Sequence, residues 1–228
     1  SKDGLLLGQA TNSTGVFTIS NGMANFFCGI EIGFYGFGAF NVHGGTVVDN
    51  SWFQPGRGQS APLGSGVFNQ TGGTLYILRN ADDENNTTRG FNFAQAGTNG
   101  VANISGGALY CNRMAFTTGG NVLNEQLNVS GGDLYIGSDG ISGAKANVSS
   151  VNISGGTFHT VDMLAVTPTF PGDLSSVLAD GADWTWSGQA VNLTNSIGSL
   201  GGVGYVSFSP EPGRTITLNN QCFGIGGF

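Results

Sequence analysis

The chain has 228 residues, 41 of them Gly and 22 Asn, with a formal charge of −7 from 7 Lys plus Arg against 14 Asp plus Glu. Hydrophobic residues make up 39% and charged residues 9%, which is too apolar and too weakly charged for a disordered chain. Gly and Asn are poor helix formers, so a helical protein is excluded as well and an all-β protein with many turns remains.

The few cations, spread from Lys2 to Arg214, build no basic patch for a nucleic-acid backbone. No apolar run reaches the ~20 residues of a membrane span, and Ser1 is read as a mature or trimmed start. Cys28, Cys111 and Cys222 have no metal-ligand spacing; they read as buried thiols or as one disulfide with a spare thiol.

In chain order, residues 1–14 contain an apolar stretch (Leu5, Leu6, Leu7) that reads as an N-terminal cap or docking strand. Residues 15–160 then carry a repeat. A degenerate copy, GVFTISNGMANFF, occupies 15–27, with Thr18 where later copies have Asn. GAFNVHGGTVV follows at 38–48, GVFNQTGGTLY at 66–76, GVANISGGALY at 100–110, EQLNVSGGDLY at 125–135 and SSVNISGGTFH at 149–159. The aligned residues are Asn41, Asn69, Asn103, Asn128 and Asn152, with gaps of 28, 34, 25 and 24 residues. A period near 24 suits one coil of a β-solenoid, with the longer gaps (51–65 and 80–99) placed on external loops.

Within each copy the pattern is strand-like. Phe40/Val42, Ala102/Ile104, Leu127/Val129 and Val151/Ile153 flank the Asn, so period-two alternation turns them inward and the Asn outward; Gln70 breaks the pattern once. Gly44–Gly45, Gly72–Gly73, Gly106–Gly107, Gly131–Gly132 and Gly155–Gly156 then supply the positive φ of a tight corner. A second strand follows, with Val47, Leu75, Leu109, Leu134 and Phe158 inward. Strand–Gly-Gly–strand also reads as a hairpin with a primed turn. The constant register favours a solenoid, because identical Asn residues stacked coil on coil can hydrogen-bond as a ladder. About six or more coils are expected.

Residues 161–228 depart from the repeat and read as an irregular C-terminal β cap or assembly region. They include Pro168, Pro171, WTW at 184–186 and AVNLTN at 190–195, whose Asn192 lies 40 residues after Asn152, too far for one plain coil.

The GxFNxxGGTLY-like repeats resemble those of autotransporter passenger domains and the Gly/Asn-rich repeats of large bacterial surface and extracellular proteins. The resemblance covers residues ~15–160 in pattern. It implies a right-handed parallel β-helix in a secreted or cell-surface protein, and it implies no catalytic residues.

Parallel β-helices also host polysaccharide lyases and hydrolases, whose chemistry needs carboxylates on neighbouring coils or calcium beside a base. The position after Gly-Gly holds Thr46, Thr74, Ala108, Asp133 and Thr157, one acid only; Asp49 stands alone, and His43 and His159 lie in different columns. No enzyme, cofactor or metal site is read from this arrangement. Asp82, Asp83 and Glu84 form the one acidic cluster, read as a solvated loop tip or a calcium site of hard oxygen ligands; Asp180 and Asp183 have less support. Tyr76, Tyr110 and Tyr135 form an outward column, between Val48 and His159. Phe34, Tyr35, Phe37, Trp52, Phe53, Phe91 and Phe93 add aromatics in or near loops. The column reads as a subunit contact, as a platform for sugar rings, or as a stripe covered by insertions. Nine Asn-x-Ser/Thr sequons occur, and the ladder explains four of them (Asn69, Asn103, Asn128, Asn152) without glycosylation.

The functional expectation is an extracellular structural protein, a solenoid subunit that self-assembles with its own copies into a filament, sheath or surface layer. The alternatives are a glycan-binding adhesin or receptor-binding β-helix and, third, a β-helix polysaccharide lyase or hydrolase.

Overall fold

A computed structural model describes residues 4–58, 64–78, 90–94, 99–116, 122–144 and 149–163, followed by six short strands; side chains are described through Ile136 and at Val151 and Asn152. Twelve strands precede residue 164: β1 (Leu5–Leu7), β2 (Thr14–Ile19), β3 (Met23–Phe26), β4 (Ile30–Ile32), β5 (Phe37–Val42), β6 (Thr46–Asp49), β7 (Phe53–Pro55), β8 (Ser65–Ile77), β9 (Phe91–Phe93), β10 (Asn99–Phe116), β11 (Asn124–Ala144) and β12 (Ser149–Met163). No helix occurs among the described residues.

The strands stack as a parallel β-solenoid with three faces. The first face pairs β2, β5 and the start of each of β8, β10, β11 and β12. After the Gly-Gly corner, the second face pairs β3, β6 and the continuation of those long strands. The third face pairs β1, β4, β7, β9 and the end of β10, and continues onto β11. Four coils, over 14–32, 37–55, 65–93 and 99–116, have all three faces described with side chains, and β11 and β12 add further levels. Because neighbouring copies run parallel, the hairpin reading is set aside.

Register agrees with the repeat. Asn41 lies opposite Asn69, Asn69 opposite Asn103, Asn103 opposite Asn128 and Asn128 opposite Asn152. The later strands are β13 (Leu178–Asp180), β14 (Trp184–Gly188), β15 (Val191–Leu193), β16 (Leu200–Gly201), β17 (Val206–Pro210) and β18 (Thr217–Leu218). Of these, β14 to β18 enter the same parallel stack, and Asn192 of β15 lies opposite Asn152. The 40-residue spacing of these two Asn accommodates β13, which runs antiparallel along the end of β12, and then β14, which pairs with β11.

The core is a column of phenylalanines. Phe40, Phe53, Phe68, Phe91 and Phe93 are fully buried, each side chain contributing roughly 1.5–3 kcal/mol. Phe17 stacks on Phe40 at 4.8 Å between centroids, Phe53 meets Phe68 edge to face at 4.9 Å, and Phe93 stacks on Phe116 at 4.4 Å. Here the sequence reading is corrected: Phe53, Phe91 and Phe93 belong to the third face rather than to loops. Strands β7 (Phe-Gln-Pro) and β9 (Phe-Asn-Phe) have three residues each, lie within the two longest gaps of the repeat and lack its Gly-Gly corner, so the repeat does not mark them. The inward positions of the first two faces are as expected: Phe40, Val42, Ala102, Ile104, Leu127, Val129, Val47, Leu75, Leu109 and Leu134 are all buried.

The Gly-Gly corner divides its labour, which corrects a second expectation. The second glycine has positive φ in every pair (74° at Gly45, 67° at Gly73, 78° at Gly107, 85° at Gly132 and 90° at Gly156), and Gly44, Gly72, Gly106 and Gly131 do not. The first is needed for close approach, since a Cβ on Gly106 would lie 2.6 Å from the Thr71 carbonyl oxygen of the coil below. Gly44, Gly72 and Gly131 meet the preceding coil in the same way, and Gly155 lies opposite Ser130.

Candidate functional site

The outward Asn residues form a hydrogen-bonded ladder along the solenoid axis. Asn152 Nδ2 donates to Asn128 Oδ1 (2.9 Å), Asn128 to Asn103 (2.9 Å), Asn103 to Asn69 (2.9 Å) and Asn69 to Asn41 (2.8 Å). Asn41 Nδ2 ends the run on Thr18 Oγ1 at 3.2 Å, so every amide points its N–H₂ toward the N-terminal end. Both amide atoms of Asn69, Asn103 and Asn128 are thereby engaged. An attached glycan at these sequons would displace a ladder bond.

Tyr76, Tyr110 and Tyr135 stack face to face, with centroids 4.7 and 4.2 Å apart and interplanar angles of 18° and 9°. Their half-buried rings pack against Val48 and Leu78. Burial, followed by the neighbouring phenols, pushes the Tyr76 and Tyr110 hydroxyls above the usual phenol range. A sugar needs an open ring face to stack on. Both faces of Tyr110 are taken by its neighbours, and Tyr76 lies over Val48, so neither offers a sugar platform.

Strands β1, β2 and β3 form the N-terminal level of the described stack. Among the described residues no strand pairs with the outer edge of β1, β2 or β3. The Phe37 and His43 N–H groups bond to the carbonyls of Ser13 and Ile19, and the Thr46 N–H to that of Gly22. In a parallel ladder alternate residues turn to opposite neighbours, so Thr14, Val16, Thr18, Met23 and Asn25 turn their backbone groups to the open side. Beside them the core ends on part-buried Leu5, Phe17, Ala24 and Phe26. Met23 is 53% exposed and Phe27 70%.

Charged groups gather elsewhere. On the third face Glu31 lies 3.9 Å from Arg57, and burial raises the Glu31 carboxyl against the pull of that guanidinium and the nearby Trp52 indole. Asp49 is buried at the end of β6 and accepts the Ser51 N–H at 3.2 Å. His43 Nδ1 lies 2.8 Å from Thr71 Oγ1. Gln70 turns inward and is fully buried, its Nε2 donating to the Ala108 carbonyl at 2.9 Å. Cys111 is a buried thiol whose pKa burial raises. A shallow cleft of about 360 Å³ is bounded by residues 11–14, 35–37 and Ser65, none of them charged.

Among the described residues no group of three or more His, Cys, Asp or Glu could hold a metal ion, and no helix is long and apolar enough to cross a membrane. Asp82, Asp83, Glu84, Asp183 and Cys222 lie outside the described residues, as do the side chains of Phe158 and His159. Comparison with models of protein families, with curated proteins and with solved structures returned no match.

Proposed function

We propose that this protein is an extracellular structural subunit whose solenoid adds end to end to further copies, building a filament, sheath or surface layer. The open rim of β1, β2 and β3 carries this reading. Among the described residues no strand pairs with its outer edge and its apolar residues are only part-buried, and such edges template the addition of another strand layer. The ladder supports it too, since the Thr18 hydroxyl can donate to an Asn of a further coil seated beneath it. A head-to-tail contact of this kind is heterologous and grows without closing unless its rotation closes a ring. The extracellular placement rests on the resemblance of the repeats to those of bacterial surface proteins. The Tyr column gives the glycan-binding reading no support, because the faces of Tyr110 are filled.

The test is sedimentation velocity with electron microscopy on wild type and Met23→Pro. Proline at the first residue of β3 removes an N–H on the open side and leaves the β6 pairing intact. Wild type should form axial polymers that Met23→Pro shortens or abolishes. A wild-type protein that stays monomeric when concentrated refutes end-to-end assembly.

A further inference from the structure

The three outer faces of the solenoid differ in a way that end-to-end stacking does not use. On the third face the outward residues Gln54 and Asn92 are buried, and Glu31 and Arg57 add charge. On the second, Val48 is buried, the tyrosines are stacked and Asp133 is charged. Among the described residues no segment folds across the first face. Its outward positions run in columns parallel to the axis: Thr14, Phe37, Ser65, Asn99, Asn124; Val16, Ala39, Val67, Val101, Gln126; and the Asn ladder. Ser20, His43, Thr71, Ser105 and Ser130 follow the ladder residues at the corner, where the register slips. None is Lys, Arg, Asp or Glu, although the chain carries a net charge of −7. All of them retain solvent exposure, from Thr14 to Ser130.

We infer that this face packs against the same face of a second copy, sheet upon sheet. Three features select that occupant. The first is charge: two copies of a net-negative protein can meet here without burying like charges. The second is periodicity: the Val16–Ala39–Val67–Val101 stripe and the ridges beside it repeat once per coil, and another copy has ridges of the same spacing to fill the grooves. The third is area. Seven residues across at ~3.3 Å and five levels at ~4.8 Å give roughly 550 Å² per copy, or about 1,100 Å² for a pair, above the ~1,000 Å² that a specific interface should clear. The Asn ladder lowers the cost of covering the face, because its amide groups are already hydrogen-bonded to one another. The contact is isologous and side to side, so it closes as a dimer and stands whether or not the ends assemble.

Sedimentation velocity over a dilution series separates the two contacts. In Met23→Pro, with the rim blocked, the protein should still pass from monomer to dimer with concentration. Adding Val67→Lys, an outward half-buried position, should weaken that dimer at least about a hundredfold. Ala39→Lys is the second probe should Val67→Lys not fold by circular dichroism. A Met23→Pro protein that is monomeric at every concentration overturns the inference, as does a folded Lys variant that dimerises as tightly as its parent. Failure of wild type to form axial polymers while the dimer persists would refute the end-to-end reading alone.

Discussion

Replacing Asn103 by Ala removes the middle rung of the amide ladder. Asn103 donates to Asn69 and accepts from Asn128, both at 2.9 Å. Two side-chain hydrogen bonds at a net of about 0.5–1.5 kcal/mol each bound the loss at about 1–3 kcal/mol. The neighbouring amides are half-exposed and can recruit water, which places the expected loss at about 1–2 kcal/mol. In a chain of this size that lowers Tm by roughly 2–8 °C. Asn152 is exposed, so the loss of its bond to Asn128 is screened by water and Asn152→Ala should cost less than Asn103→Ala, about 0.5–1 kcal/mol. Asn103→Asp tests the ladder's direction. Its carboxylate can accept from Asn128 but offers no proton to Asn69 Oδ1, so at neutral pH it should be less stable than Asn103→Ala. Its protonated form can donate, so the folded-state pKa lies above the ordinary ~3.9. The stabilisation is then complete below that ordinary value and lost as pH rises through the folded one. Urea melts of the three variants at neutral and acidic pH measure this. An Asn103→Ala loss within about 0.5 kcal/mol, or an Asn103→Asp variant that gains nothing on acidification relative to Asn103→Ala, refutes the ladder as a stabilising element.

Gly107→Ala should cost at least about 1–3 kcal/mol, because Gly107 has φ of 78° and a Cβ there would lie 2.4 Å from the Gly73 carbonyl oxygen. Gly22 has a similar φ of 76° but no atom near its Cβ position, so Gly22→Ala should cost only about 1–2 kcal/mol; equal losses in denaturant melts would argue that coil stacking imposes no clash. The tyrosine column sets an alkaline limit. Folded-state phenol values at Tyr76 and Tyr110 are raised, so their contribution is complete below about pH 10 and is lost as pH rises from there through the folded values. Thermal melts should fall above that pH with a shallower slope in Tyr110→Phe, and superimposable slopes would remove the column from the alkaline transition.

The repeat by itself determined the coil period, the inward and outward alternation of the first two faces, the position of the corner and the stacking of Asn on Asn. Each of these is local information copied from coil to coil, and the parallel register lays like residues over like. The third face could not be reached that way. Strands β4, β7 and β9 are three residues long and share no marker, so whether Phe53 and Phe91 point inward depends on how the chain closes its coil. Tertiary structure also split the Gly-Gly pair into one residue for backbone angle and one for close approach, because only the coil below supplies the Thr71 carbonyl that a side chain on Gly106 would strike. It decided that the tyrosine rings fill each other's faces, and that the described outward residues of the first face keep solvent exposure while Val48, Gln54 and Asn92 on the other two are buried, since exposure is set by what folds across a surface as well as by the alternation that points a residue toward it.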